Sequence, residues 1–163
     1  MTPPKILVAG LGNIFFGDDA FGVEVIRLLA QRSIGPNVTI KDFGIRSFDL
    51  SCSLAGGYDF AILVDVVQRG EPPGTLYVIE PEVPTLQASL DFHQSNPARA
   101  LELARQLGSA VPSIRIVGCE PACFNHDDGI SALSPAVQAS LTSAVHMVEG
   151  LVSDFLSSRT VYA

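Results

Sequence analysis

Basic residues are scarce in this chain: 10 stand against 17 acidic ones in 163 residues, for a formal charge of −7. No basic run or basic–aromatic interleaving offsets that balance, which argues against a phosphate backbone as partner. Charged residues of both signs make up only 17 % and apolar ones 47 %, so the chain is not a disordered one. Cysteine is limited to Cys52, Cys119 and Cys123, too few and too scattered for a disulfide scaffold. The opening Met1-Thr2-Pro3-Pro4-Lys5 lacks the charged and apolar regions of a signal peptide. No apolar run reaches membrane-spanning length, because Asp65 interrupts the longest. A G-x-S-x-G elbow is missing as well, which leaves acyl-enzyme chemistry without support. The expectation is a cytoplasmic protein, one domain over residues 1–163, monomeric because no apolar stripe is left unexplained.

What is present is organised around Lys5 to Gly22, KILVAGLGNIFFGDDAFG. Ile6-Leu7-Val8-Ala9 reads as a buried strand. It breaks at Gly10-Leu11-Gly12-Asn13, passes Ile14-Phe15-Phe16-Gly17, and reaches the adjacent acids Asp18 and Asp19. A helix follows from about Ala20, with Glu24, Arg27 and Gln31 as its polar stripe, ending near Arg32 to Gly35. Strand, glycine turn and acid-headed helix together hold carboxylates at the edge of a sheet.

The remaining pattern is α/β. Val38 to Phe43 alternates as a second strand, Phe48 to Leu54 forms a short helix, and Phe60 to Val67 is the most apolar strand. Helical connections between these three strands predict parallel crossovers. Gln68 to Pro73 is too short for a crossover, so strand four, Thr75 to Ile79, runs antiparallel. Asn96-Pro97 starts a helix that stops at Gly108, Ser113 to Cys119 is strand five, and Ser134-Pro135 opens the last helix. That helix carries the apolar stripe Val137, Leu141, Val145, Val148 and Val152. The fold expected is a three-layer α/β/α sandwich on a five-stranded, mostly parallel twisted sheet with strand four antiparallel.

Sites in such sheets form beyond the carboxyl ends of the strands, where strand order reverses. With strands two and three on either side of strand one, Asp18-Asp19 and Asp65 share one crevice, and the loop bearing His93 is free to close over it. Asp18 or Asp19 can equally serve as a helix cap. Two adjacent carboxylates repel, however, unless a cation or donor intervenes, and Asp65 in so apolar a strand is costly to bury alone. Two carboxylates and an imidazole form an open three-ligand site suited to a borderline divalent metal. His146 falls on the polar side of the last helix, and His126-Asp127-Asp128 reads as a loop and capping cluster. Cys119 reads as core, with Cys123 left undecided. A dinucleotide site fits poorly, because Phe15 stands at the third glycine position and Asp18-Asp19 would face the pyrophosphate.

GLGNIFFGDDAFGV resembles the G-x-G-N-x(4)-D-[DE]-x-x-G-V opening of the hydrogenase maturation endopeptidases, which process the large subunit of [NiFe] hydrogenases. ILVDVV is similar to that family's third strand, FHQ to its histidine–glutamine pair, and Val117-Gly118-Cys119-Glu120-Pro121 to a segment after its last strand. The resemblance places the metal-site residues, which are also the catalytic ones, on Asp19, Asp65 and His93. It implies a strand five inserted between strands three and four. It also implies one cut that removes a C-terminal extension from the large-subunit precursor after nickel insertion, the nickel arriving on the substrate and no organic cofactor taking part. Water activated by metal or carboxylate attacks the carbonyl. The alternative is a nickel-sensing assembly factor that does not cut. Two departures stand out: Asp19 where the family often has glutamate, and Asp42-Phe43-Gly44-Ile45-Arg46 where many members carry D-G-G-T.

Overall fold

The computed structural model describes residues 2–81, 97–107, 110–122 and 132–160. Five strands, β1 (Ile6–Leu11), β2 (Val38–Gly44), β3 (Phe60–Val66), β4 (Leu76–Ile79) and β5 (Ser113–Cys119), make one sheet in the order β2-β1-β3-β5-β4. All pairings are parallel except β4 with β5. The antiparallel fourth strand expected from its short connection is therefore present, and β5 lies between β3 and β4 as the family resemblance implied. The helices are α1 (Phe21–Leu29), α2 (Ser47–Leu54), α3 (Pro97–Gln106) and α4 (Pro135–Thr160).

Side-chain alternation along the central strands sorts the core into two layers. Ile6 and Val8 of β1 with Ile62, Val64 and Val66 of β3 pack under α1 and α4, where Val137, Leu141, Val145, Val148 and Val152 are all buried. Leu7, Ala9, Leu11, Ala61 and Leu63 face the other way, against Leu50 and Leu54 of α2 and Ala100, Leu101 and Ala104 of α3. Helices on both faces explain why every residue of β3 is buried and why it reads as one apolar run.

Element ends move by a residue or two, each for a local reason. Strand β4 begins at Leu76, not Thr75, because the Thr75 amide and hydroxyl both donate to the Pro72 carbonyl and close a turn. Helix α1 stops at Leu29, and the chain continues through tighter i→i+3 bonds from Gln31 to Leu28 and from Arg32 to Leu29. It also starts later than Ala20, since Gly17–Ala20 forms a separate 3-10 turn ahead of it. No helix among the described residues is long and apolar enough to cross a membrane.

Candidate active site

Strand order reverses between β1 and β3, and the acidic turn Gly17–Ala20 lies at the carboxyl ends of those two strands. Two glycines make that placement physically open. At Gly12, φ is +121°, and a Cβ there would fall 1.8 Å from the Asp19 carbonyl oxygen, so only glycine lets the turn fold back over the end of β1. At Gly22, a Cβ would stand 2.2 Å from the Val64 carbonyl oxygen and 2.3 Å from that of Leu11. The first turn of α1 therefore rests directly on the backbones of β3 and β1.

Neither acid of the pair caps a helix: no side-chain cap bond is made at the 3-10 turn or at α1. Asp18 is buried and reaches across the molecule instead. Its carboxylate accepts from the Ala122 amide at 2.8 Å, the Ser134 amide at 2.7 Å and the Ser134 hydroxyl at 2.9 Å. One side chain thus ties the acidic turn to the chain leaving β5 and to the residue that opens α4. Charge-assisted bonds of this kind are among the stronger ones. Asp18→Ala strands three donors, and we expect a loss of about 3 kcal/mol in denaturant-unfolding stability, with Asp18→Asn recovering part of it.

Asp19 accepts from the Asn13 amide at 2.8 Å, which folds the Asn13–Phe16 turn onto it. Asp65 sits on β3 with 1 % exposure against 8 % for Asp19, so it is the deeper of the two. One Asp65 oxygen accepts from the Val66 amide at 2.8 Å. The other, Oδ2, is buried and has no hydrogen-bond partner among the described residues. Burial first, and the nearby Asp19 charge second, push the Asp65 carboxyl well above the ordinary carboxylate range. Its cross-strand neighbour on β5 is Gly118, which adds no side chain beside it.

The predicted carboxylates Asp19 and Asp65 are therefore near neighbours. His93, the third predicted residue, lies outside the described residues, as do Cys123 and His126-Asp127-Asp128. Among the described residues no three His, Cys, Asp or Glu side chains gather to hold a metal. Cys119 is buried core, its thiol 3.4 Å from the Ser140 hydroxyl, and burial pushes that thiol up. His146 is exposed on α4.

Sequence reading missed the part played by Glu120. This buried carboxylate follows β5 and accepts from the Arg69 amide at 2.8 Å, the Gly70 amide at 3.2 Å and the Tyr77 hydroxyl at 2.6 Å. It pins the β3–β4 connection to the end of β5. Burial alone would raise its pKa, but the Tyr77 hydroxyl and the amides of residues 69 to 71 outweigh it and hold Glu120 below its ordinary value of 4.5. The Tyr77 hydroxyl, on a half-buried side chain facing that carboxylate, is pushed up to about 12 by partial desolvation and by the Glu120 charge. A depressed carboxylate contributes stability that is complete above its unfolded value and disappears as pH falls through the folded one. Glu120→Gln should then unfold at lower urea concentration than the parent at neutral pH. The gap, about 1–3 kcal/mol, should close as both proteins are titrated below pH 4.5.

A sequence model described as hydrogenase maturation protease matches residues 23–151. The chain belongs to this family. The hydrogenase 2 maturation protease of Escherichia coli is 32 % identical over 147 residues, 88 % of each chain. The hydrogenase expression/formation protein HupD of Thiocapsa roseopersicina is 30 % identical over 158 residues, 94 % of this chain and 70 % of that one. Among solved structures, the hydrogenase maturating endopeptidase HybD from Escherichia coli superposes with a TM-score of 0.80 at 28 % identity, covering 92 % of this chain and 93 % of its own. Membership makes the chain a protease of hydrogenase maturation, and the five-stranded sheet with one antiparallel edge strand is the maturation-protease fold.

Proposed function

We propose that this protease removes a C-terminal extension from the large-subunit precursor of a [NiFe] hydrogenase once nickel has been inserted. In this reading Asp19, Asp65 and His93 engage the nickel that the substrate carries. The observation behind it is the Asp65 Oδ2 atom, buried beside Asp19 with no donor among the described residues. Two carboxylates so close repel each other in the free protein, and a divalent cation between them turns that repulsion into attraction. Carboxylate and imidazole donors suit a borderline metal such as nickel.

Each residue then has a distinct task. Asp65, fixed on the central strand, supplies the deep oxygen. Asp19 supplies the outer one and is oriented by the Asn13 amide. Neutral His93 completes the set, so acid conditions weaken engagement. Substrate-borne nickel, once engaged, holds the scissile bond at the crevice and draws electron density from nearby oxygens. A carboxylate of the site takes a proton from the attacking water as its oxygen bonds to the carbonyl carbon. The C–N bond then breaks and the departing amine receives the proton.

Intact-mass analysis of nickel-loaded and nickel-free precursor, each incubated with the protein, tests the proposal. Loss of one C-terminal peptide from the loaded form alone is the expected result. Equal cutting of both forms removes nickel gating, and binding without cutting turns the protein into a sensor.

A further inference from the structure

Five of the eight large apolar side chains exposed among the described residues crowd one rim of the molecule. They are Ile14, Phe15 and Phe16, on the turn after β1, and Ile45 and Phe48, at the junction of β2 and α2. The others, Leu28, Val78 and Leu107, are spread over α1, β4 and the end of α3.

The rim is built rigidly. Phe15 donates its amide to the Asn13 side chain at 2.9 Å, Phe16 to the Asn13 carbonyl at 3.1 Å, and Asp19 to the Phe16 carbonyl at 3.1 Å. On the second turn, Arg46 donates to the Phe43 carbonyl at 2.8 Å and Ser47 to that of Ile45 at 3.0 Å. A bond of 3.0 Å from the Gly12 amide to the Gly44 carbonyl ties the two turns together. Phe15, at 72 % exposure, and Phe48, at 63 %, are therefore held outward by their own backbones. Aromatic groups presented this way bind at little ordering cost.

Continuity with the acid site identifies the occupant. The Asn13 amide that starts the first turn is bound to the Asp19 carboxylate, so a chain seated on Phe15 and Phe16 runs past Asp19. With ~200 Å² for a whole aromatic or branched side chain, the exposed fractions amount to ~500 Å². That matches the largest apolar patch of an ordinary monomer, often a functional one.

We infer that this rim is the docking surface for an apolar segment of the substrate polypeptide, close to the bond to be cut. The inference rests on the reading that a protein precursor is the substrate. It assigns the rim to binding and leaves the chemical step to the acids. Apolar contacts made equally in the ground and transition states change KM and leave kcat alone.

The test is the double variant Phe15→Ser/Phe48→Ser against parent and Leu107→Ser, with both precursor binding and cleavage measured. The expected result is a rise of about tenfold or more in Kd and KM for the double variant. Its kcat and melting temperature should match the parent's, and Leu107→Ser should change nothing. Equal Kd values for parent and double variant overturn the inference, as does a parent that fails to bind precursor. Sedimentation that shows a parent dimer lost in the double variant overturns it too, by making the rim a self-interface. A parent that binds through the rim but does not cut would sink the proteolytic reading and leave the docking surface standing.

Discussion

Asp65→Asn should abolish processing of the precursor while leaving the protein at least as resistant to urea as the parent. The two halves of this expectation have one cause. In the folded protein Asp65 is fully buried, its Oδ2 lacks a donor among the described residues, and burial and the Asp19 charge push its carboxyl upward. The ionised carboxylate is thus a greater cost to folding than a neutral amide of the same shape. The sign follows from linkage. A carboxyl that holds its proton more tightly when folded loses stability as pH rises from its unfolded value, ordinarily 3.8, through the raised folded one. Urea midpoints of the metal-free parent should show that decline, and those of Asp65→Asn should show it flattened. Activity moves the other way, because an amide cannot accept a proton from water or supply anionic charge. Positioned acid–base groups are worth roughly 10²–10⁴-fold in rate, and a loss at the upper end is expected. An Asp65→Asn protein that unfolds easily would mean that the carboxylate holds the fold together. One that cuts normally would remove Asp65 from the reaction.

Gly22→Ala should destabilise the fold by on the order of 4 kcal/mol or more, a large share of the 5–15 kcal/mol that ordinary domains possess. Helix propensity alone points the opposite way, since alanine in place of a helical glycine gains about 1 kcal/mol. Geometry decides against propensity here. A Cβ on Gly22 would stand 2.2 Å from the Val64 oxygen and 2.3 Å from the Leu11 oxygen. Both are backbone atoms of hydrogen-bonded strands, and neither can rotate away. Relief requires α1 to lift from the sheet, carrying the acidic turn away from Asp65. Gly150→Ala in α4 is the matched control, because a Cβ there meets nothing within 4 Å. It should be neutral or gain up to about 1 kcal/mol. Urea unfolding of the two variants beside the parent checks both signs at once.

The order and direction of the strands could be read from the chain because they follow from short-range rules. Apolar runs bounded by glycine and proline mark the strands, helical spacers demand parallel crossovers, and the short Gln68 to Pro73 link forces β4 to turn back. The approach of Asp19 to Asp65 is the same kind of consequence, since carboxyl ends of adjacent parallel strands share an edge.

Contacts between distant residues were decided by the fold alone. The sequence leaves a helix cap open to either Asp18 or Asp19, yet the Asp18 carboxylate has partners at Ala122 and Ser134, because a buried carboxylate takes whichever donors packing brings to it. Glu120 had no visible task until the β3–β4 connection laid its amides and the Tyr77 hydroxyl against it. Ile14, Phe15 and Phe16 have the composition of core, and only the folded turn turns them out to solvent. Composition records which groups prefer burial. Whether a given one finds a place inside depends on where the other elements come to rest.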